Sequence, residues 1–292
     1  KKPWRHKGTP HPGNLPVITQ AGACVSVDQL VSTTPGFLAR LKGLLTRRRY
    51  RIATVFVDHY SRLSFIYMTH SDTSAETLEA KHAFERYCGT AKVAVRHYHG
   101  DNGRFADNAF RQDCEKQHQA LSYCGVNAHF QNGIAEKRIR DLQDNACTMM
   151  IHAQARWPSV ITTNLWPYAM RTGNEIHNYT PRMKDGQTPI ELFSQVPVKP
   201  QIRNFHHFGC PTYVLDNTLQ GGKKIPKWAK RARLGVYLGP SPAHAQSVAL
   251  ILNLRTGLVS PQFHLQFDDQ FETEREVVSA SNWKTYAGFT TH

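Results

Sequence analysis

Two short stretches constrain this chain more than any other feature: HYHGDNGRF, from His97 to Phe105, and HFQNGIAEKRIRDL, from His129 to Leu142. Val93, Val95 and His97 alternate as in a strand, which ends at Gly100-Asp101-Asn102-Gly103. Glycines on both sides of Asp101 let the backbone turn sharply and leave the acid at a strand end where a substrate can reach it. Glu136 sits in the first turns of a predicted helix, whose apolar positions Ala135, Ile139, Leu142, Ala146 and Met149 repeat at four, three, four and three. From 101 to 136 is an interval of 35, room for one helix and one short strand before Glu136 returns to Asp101. Two carboxylates on two rigid elements are an arrangement for holding metal ions. Asp28, in the strand-like CVSVDQL, is the candidate third acid.

The surrounding chain supplies elements that would bring these acids together. Ala23, Val25 and Val27 alternate with Cys24, Ser26 and Asp28, the pattern of a half-buried strand. RIATVFVD and LSFIYMT read as an antiparallel pair across a turn at Asp58 to Arg62, where Asp58 takes a turn-capping or Arg-pairing role. Thr73 and Glu76 have capping-box spacing at the head of an amphipathic helix. A short helix over Asn108 to His118, a strand over Ala120 to Cys124, and a Gly-, Asn- and His-containing loop from Gly125 to Gly133 complete the interval. Further helices are predicted over Asn164 to His177 and Gln187 to Phe193. After Arg203 the runs become short and β-like, and they read as a small all-β module.

Charge and cysteine usage bound the partners. The 292 residues carry 36 Lys and Arg against 22 acids, a net charge of +14, which favours a polyanion and above all nucleic acid. Two segments are basic and acid-free: one holds Arg47, Arg48 and Arg49, the other Lys223 and Lys224. No apolar run approaches the roughly 20 residues of a membrane helix, so a soluble intracellular protein is expected. The six cysteines form no C-x-x-C pair and read as buried free thiols. His97 and His99 face one side of their strand, where a zinc role is open to them.

Asp28, the VDHYSR turn, HGDNGRF, QNGIAEKRIR and the later FGCPTYV, RLGVYLG and NLRTGLVSPQFHLQFDD together resemble the integrase region of copia-type long-terminal-repeat retrotransposon polyproteins. The resemblance covers most of the chain. It implies an α/β fold, a ribonuclease H-like mixed sheet flanked by helices and followed by a small SH3-like β-barrel. The implied layout is an extended basic linker over 1–20, a catalytic core over 21–180, a connector over 181–205, the barrel over 206–270 and an irregular tail over 271–292. Asp28, Asp101 and Glu136 then take the positions of the metal-binding catalytic triad, with two Mg²⁺ or Mn²⁺ ions serving phosphoryl transfer. Lys137, Arg138 and Arg140 would meet phosphates near the cut, and Gln131 and Asn132 the DNA end.

The expected partners are element and target DNA, further copies of the chain, and the rest of a Gag-Pol polyprotein, with no membrane. Location would be a cytoplasmic virus-like particle, then the nucleus. Two departures stand out: the Asp101 to Glu136 interval is one residue shorter than usual, and GVNAHF replaces a Pro-rich approach to QNG. The family's N-terminal zinc module is absent, so no zinc is expected, and the chain reads as a segment starting just after that module. A catalytically inactive nucleic-acid-binding relic and a metal-dependent nuclease are the alternatives on the same fold.

Overall fold

In a computed structural model of the chain, the structure describes residues 15–39, 49–125, 132–198, 202–273 and 281–289. Three antiparallel strands come first: β1 (Val25–Gly36), β2 (Tyr50–Asp58) and β3 (Ser64–Thr69). Helix α1 (Ser74–Thr90) crosses to β4 (His97–Gly100), and α2 (Asn108–Lys116) to β5 (Ala120–Tyr123); both strands run parallel to β1. The order β3-β2-β1-β4-β5 is a ribonuclease H-like mixed sheet.

Alternation along these strands splits the buried residues between two faces, as period-2 side chains must. Val25, Val27, Phe56 and Tyr98 pack under α1 and α2, with Phe56 stacked on Phe84 at 4.7 Å between ring centroids. Ala53, Val55 and Val57 face the opposite side, beneath the long α3 (Gly133–Arg156) and α4 (Trp166–Tyr179). The α3 stripe is buried at Ala135, Ile139, Leu142 and Ala146, then at Met150 and Ala153; Met149 is only partly covered, a drift expected of a 3.6-residue period. Thr73 caps α1, but Glu76 turns its carboxylate to the His70 and Ser71 amides, so the reciprocal box does not form there. Thr188 and Glu191 do form one, at the head of α5 (Pro189–Ser194).

Beyond α5 come β6 (Pro211–Leu215), α6 (Asn217–Gln220), β7 (Ala232–Pro240), β8 (Ala249–Asn253), β9 (Val259–Gln262) and β10 (Leu265–Phe267). These strands are ordered β10-β6-β7-β8-β9, all antiparallel. Laid flat, β10 and β9 would lie about 19 Å apart, four spacings of about 4.8 Å. Yet only Phe263 and His264 join them, a link reaching about 11 Å at most. The sheet therefore curls into a small barrel. Val236, Leu238, Leu252, Leu254 and Val259 bury their side chains in the same core as α3 and α4, so barrel and mixed sheet are packed as one.

That core also takes in α7 (Ser281–Tyr286), whose Trp283 is fully buried, correcting the expectation of an irregular tail. A lone tryptophan in an otherwise polar stretch gives no periodic signal. Among the described residues no helix is long and apolar enough to cross a membrane.

Candidate active site

The register between β1 and β4 builds the centre of the site. Val25 pairs with Tyr98 and Ser26 with His99, so two residues further on Asp28 stands level with Asp101, at the C-terminal end of β4. Asp28 shares a face with Ser26, and Asp101 with His99, by strand alternation. Helix α3 is pinned to that face at its N-cap residue. The buried Asn132 donates from Nδ2 to the Val27 carbonyl at 3.0 Å, and Glu136 follows one turn later. Asn132, expected at a DNA end, thus ties the start of the helix that carries Glu136 to β1.

Cys124, just past β5, reports how far the acids converge. Its amide donates to the Gly100 carbonyl at 3.1 Å and its sulfur lies 3.7 Å from His99 Nε2. Burial pushes the thiol up, and the charges of Asp101, Glu136 and Asp28 push it further. All three carboxylates therefore lie within electrostatic range of one sulfur atom. Asp101 Oδ1 is buried without a hydrogen-bond partner among the described residues, and its Oδ2 lies 2.9 Å from where a Cβ on Gly103 would be. Gly103 leaves the space that this carboxylate fills.

A buried, unpartnered carboxylate oxygen is a donor suited to a hard divalent cation. Among the described residues one trio, His82, Glu85 and Asp113, gathers three ligand atoms within 4.8 Å of one another. Asp28, Asp101 and Glu136 stand wider.

The tighter trio already holds its cation. Lys81 Nζ, fully buried, lies 2.8 Å from Glu85 Oε1 and 2.6 Å from Asp113 Oδ2, over the rings of Tyr98 and Phe110. Glu85 Oε1 also accepts from Tyr98 and Gln119. Burial alone would raise the Asp113 carboxyl, but Lys81 and His82 outweigh it and hold it below its usual range. This is a structural ion cluster between α1 and α2.

Neighbouring groups divide into those that face the site and those that do not. Lys137 and Arg140 are exposed on the edge of α3 that carries Glu136, and among the described residues no ion pair joins them to it. Arg138 is the more covered: it lies 4.0 Å from Asp141, burial and the Arg62 charge lower its pKa, and its buried Nε has no hydrogen-bond partner among the described residues. Two positions along a helix is a turn of about 200°, so Glu136 and Arg138 cannot share an edge. Arg49 is reassigned. Its guanidinium sits 4.3 Å from the Phe289 ring and bonds the Ala287 carbonyl, packing the C-terminal segment to the core. Lys223 and Lys224 are exposed on the barrel loop. Gln131, Arg47 and Arg48 lie outside the described residues, as does most of the GVNAHF stretch.

The histidines form a polar floor. His97 Nε2 and His99 Nδ1 approach the Ser122 hydroxyl at 2.6 and 2.9 Å, and that hydroxyl can donate to at most one of the two rings. His59 Nε2 lies 2.8 Å from Ser26 Oγ, and burial, with Arg62, His99 and His97 nearby, pushes its pKa down to about 4. Asp58 caps its turn as expected: it is buried and accepts from the Gly22 and Ser61 amides and the Ser61 hydroxyl. A feature not read from the sequence adjoins it, a cavity of about 550 Å³ lined by His59, Arg62, Arg182 and Lys184. Arg62 is held there in the left-handed region at φ 65°. Its distance in sequence from residues 182–184 left no pattern to find.

The mixed sheet with acids at its strand ends, followed by a curled five-strand sheet, is a ribonuclease H-like core carrying a small β-barrel. Sequence comparison then places it among known proteins. The chain is 24% identical over 265 residues to the retrovirus-related Pol polyprotein from transposon RE2 of Arabidopsis thaliana, covering 83% of this chain and 16% of the polyprotein. It is 25% identical over 232 residues to that from transposon RE1, covering 77% and 14%. The chain's homologues are thus the Pol polyproteins of copia-type retrotransposons, of whose length it spans about a sixth. No family model matches it.

Among solved structures, the HTLV-2 integrase catalytic core domain in complex with magnesium aligns with a TM-score of 0.43 at 16% identity, over 60% of this chain and 97% of that one. The simian T-cell lymphotropic virus intasome in complex with PP2A regulatory subunit B56 gamma aligns with a TM-score of 0.45 at 16% identity, over 85% and 79%.

Proposed function

We propose that the chain is the DNA integrase part of a Pol polyprotein, processing the ends of the element's DNA and joining their 3′-hydroxyls to target DNA. What supports this reading is the β1–β4 register, which sets Asp28 level with Asp101, together with the buried, unpartnered Asp101 Oδ1 and the Asn132 bond that holds the start of the Glu136 helix to β1. Hard oxygen donors suit Mg²⁺ or Mn²⁺. Asp28, Asp101 and Glu136 would hold two such ions, which supply charge neutralisation to the attacking and leaving oxygens of a phosphodiester. The protein side of the chemistry is orientation. Asn132 sets the height of Glu136 over β1, Gly103 gives the Asp101 carboxylate its place, and the protonated Cys124 thiol is a wall of the site. Lys137 and Arg140 are placed to neutralise phosphates flanking the cut, and Lys223 and Lys224 to hold the backbone further away.

A homo-oligomer on DNA, release from a longer polyprotein, and passage from a cytoplasmic virus-like particle to the nucleus belong to the same proposal and rest on kinship with Pol polyproteins. The test is a strand-transfer assay with paired element ends and Mg²⁺ or Mn²⁺. Joined strands are expected from the wild type and none from Asp101→Asn or Glu136→Gln of unchanged fold. Nicks without joining would make the chain a nuclease, and joining by either variant would remove the triad from the chemistry.

A further inference from the structure

The loop between β6 and β7 carries an aromatic group that the fold does not use. It leaves the barrel at Asp216 and returns at Arg231, where the Asp216 amide donates to the Arg231 carbonyl at 2.8 Å and closes its neck. Within it Lys223, Lys224, Lys227, Lys230 and Arg231 are all exposed, with no acid between 217 and 233. At its tip the Ala229 amide donates to the Pro226 carbonyl at 3.0 Å, a tight turn that holds Trp228 outward with 90% of its surface exposed. The other described tryptophans behave differently: Trp157 and Trp283 are buried, and Trp166 donates to the Thr34 carbonyl. Lys227 Nζ stands 5.3 Å from the Trp228 ring centroid.

An indole left in water forgoes the burial that usually accounts for tryptophan in a fold. The lysines around it exclude a basic partner and attract a polyanion. A polyanion that also offers flat aromatic faces is nucleic acid, and the faces are open in a single strand, whereas a duplex hides them in its stack. We propose that Trp228 stacks on an unpaired base of single-stranded DNA, whose phosphates are held by Lys223, Lys224 and Lys227. The inference rests on the reading of the chain as a DNA-binding protein.

Stacking and ion pairing separate by their salt dependence. The full chain and its Trp228→Ala, Trp228→Phe and Lys223→Ala/Lys224→Ala variants would be titrated, over a range of KCl, with a fluorescein-labelled oligothymidylate and with a duplex of equal length. Trp228→Ala should weaken single-strand binding roughly fivefold to a hundredfold, the span of one lost base-aromatic stack. It should leave the slope of log K against log salt, the melting temperature and duplex binding unchanged. Trp228→Phe should recover much of the loss. The double lysine variant should flatten the slope by about 0.7 for each phosphate contact removed. Wild-type affinity in Trp228→Ala, or equal loss for single strand and duplex, overturns the stacking role while the lysine result upholds DNA binding. Absence of salt-dependent binding by the wild type overturns the DNA-binding reading, and the inference with it.

Discussion

Replacing Asn132 by Ala separates the positioning of Glu136 from the stability of the fold. Asn132 is buried, and its side chain makes one described hydrogen bond, from Nδ2 to the Val27 carbonyl at 3.0 Å; its Oδ1 is buried without a partner. The substitution removes one bond of about 1 kcal/mol and leaves part of a carbonyl unsatisfied, at about 1–3 kcal/mol. Removing the orphaned Oδ1 offsets some of that. Asn132 makes no side-chain cap bond to α3, so no capping energy is lost. The net expectation is about 1–2 kcal/mol of destabilisation, read as a lower urea midpoint with unchanged slope. Strand transfer should fall further, because a displacement of about 1 Å at a reacting centre can lower a rate about a hundredfold. The assay is product formed per folded molecule, below the onset of unfolding. A midpoint shift of the expected size with strand transfer within twofold of wild type would refute the positioning role.

Four further outcomes follow from the same geometry. Gly103→Ala places a methyl 2.9 Å from Asp101 Oδ2; strand transfer should drop and need more divalent ion, and the melting temperature should fall as well, because φ −98° with ψ −100° lies outside the regions an L-residue favours. Lys81→Met leaves Glu85 and Asp113 part-buried and without their cation, so chemical unfolding should show a loss of about 3–5 kcal/mol that added Mg²⁺ does not restore. His59 is buried and titrates near 4 when folded against about 6.5 when unfolded. The unfolded chain thus binds protons first, and the stability His59 contributes is present above pH 6.5 and lost as pH falls toward 4. It amounts to about 3 kcal/mol, and urea midpoints of His59→Gln should fall less steeply over that range. Arg49→Ala should lower the melting temperature by loosening Phe289 and leave the salt slope of DNA binding as it was, unlike replacement of Lys223 and Lys224.

What was legible in the sequence was whatever repeats locally. Alternation from Ala23 to Asp28 and in RIATVFVD, the stripe on α3, and the glycines around Asp101 each reflect a short-range rule, and each element lies where that rule puts it. The register that sets Asp28 level with Asp101 is a pairing of residues about 70 positions apart, and nothing local states it; resemblance to a known family supplied it. Side-chain direction was the weaker point. Lys137, Arg138 and Arg140 look alike in a string, but about 100° per residue sends Arg138 under the helix toward Arg62. Arg49 and Trp283 failed for a related reason, since their partners come from the two ends of the chain.

The central claim, that Asp28, Asp101 and Glu136 form one cation site, is tested most directly by melting wild type and Asp101→Asn with and without Mn²⁺. Three like charges gathered at one strand end repel one another, and binding to the folded state alone raises stability by mass action. The account predicts that Asp101→Asn melts above wild type without the ion, and that Mn²⁺ raises the wild type alone. An Asp101→Asn variant that melts lower than wild type and gains equally from Mn²⁺ would contradict it.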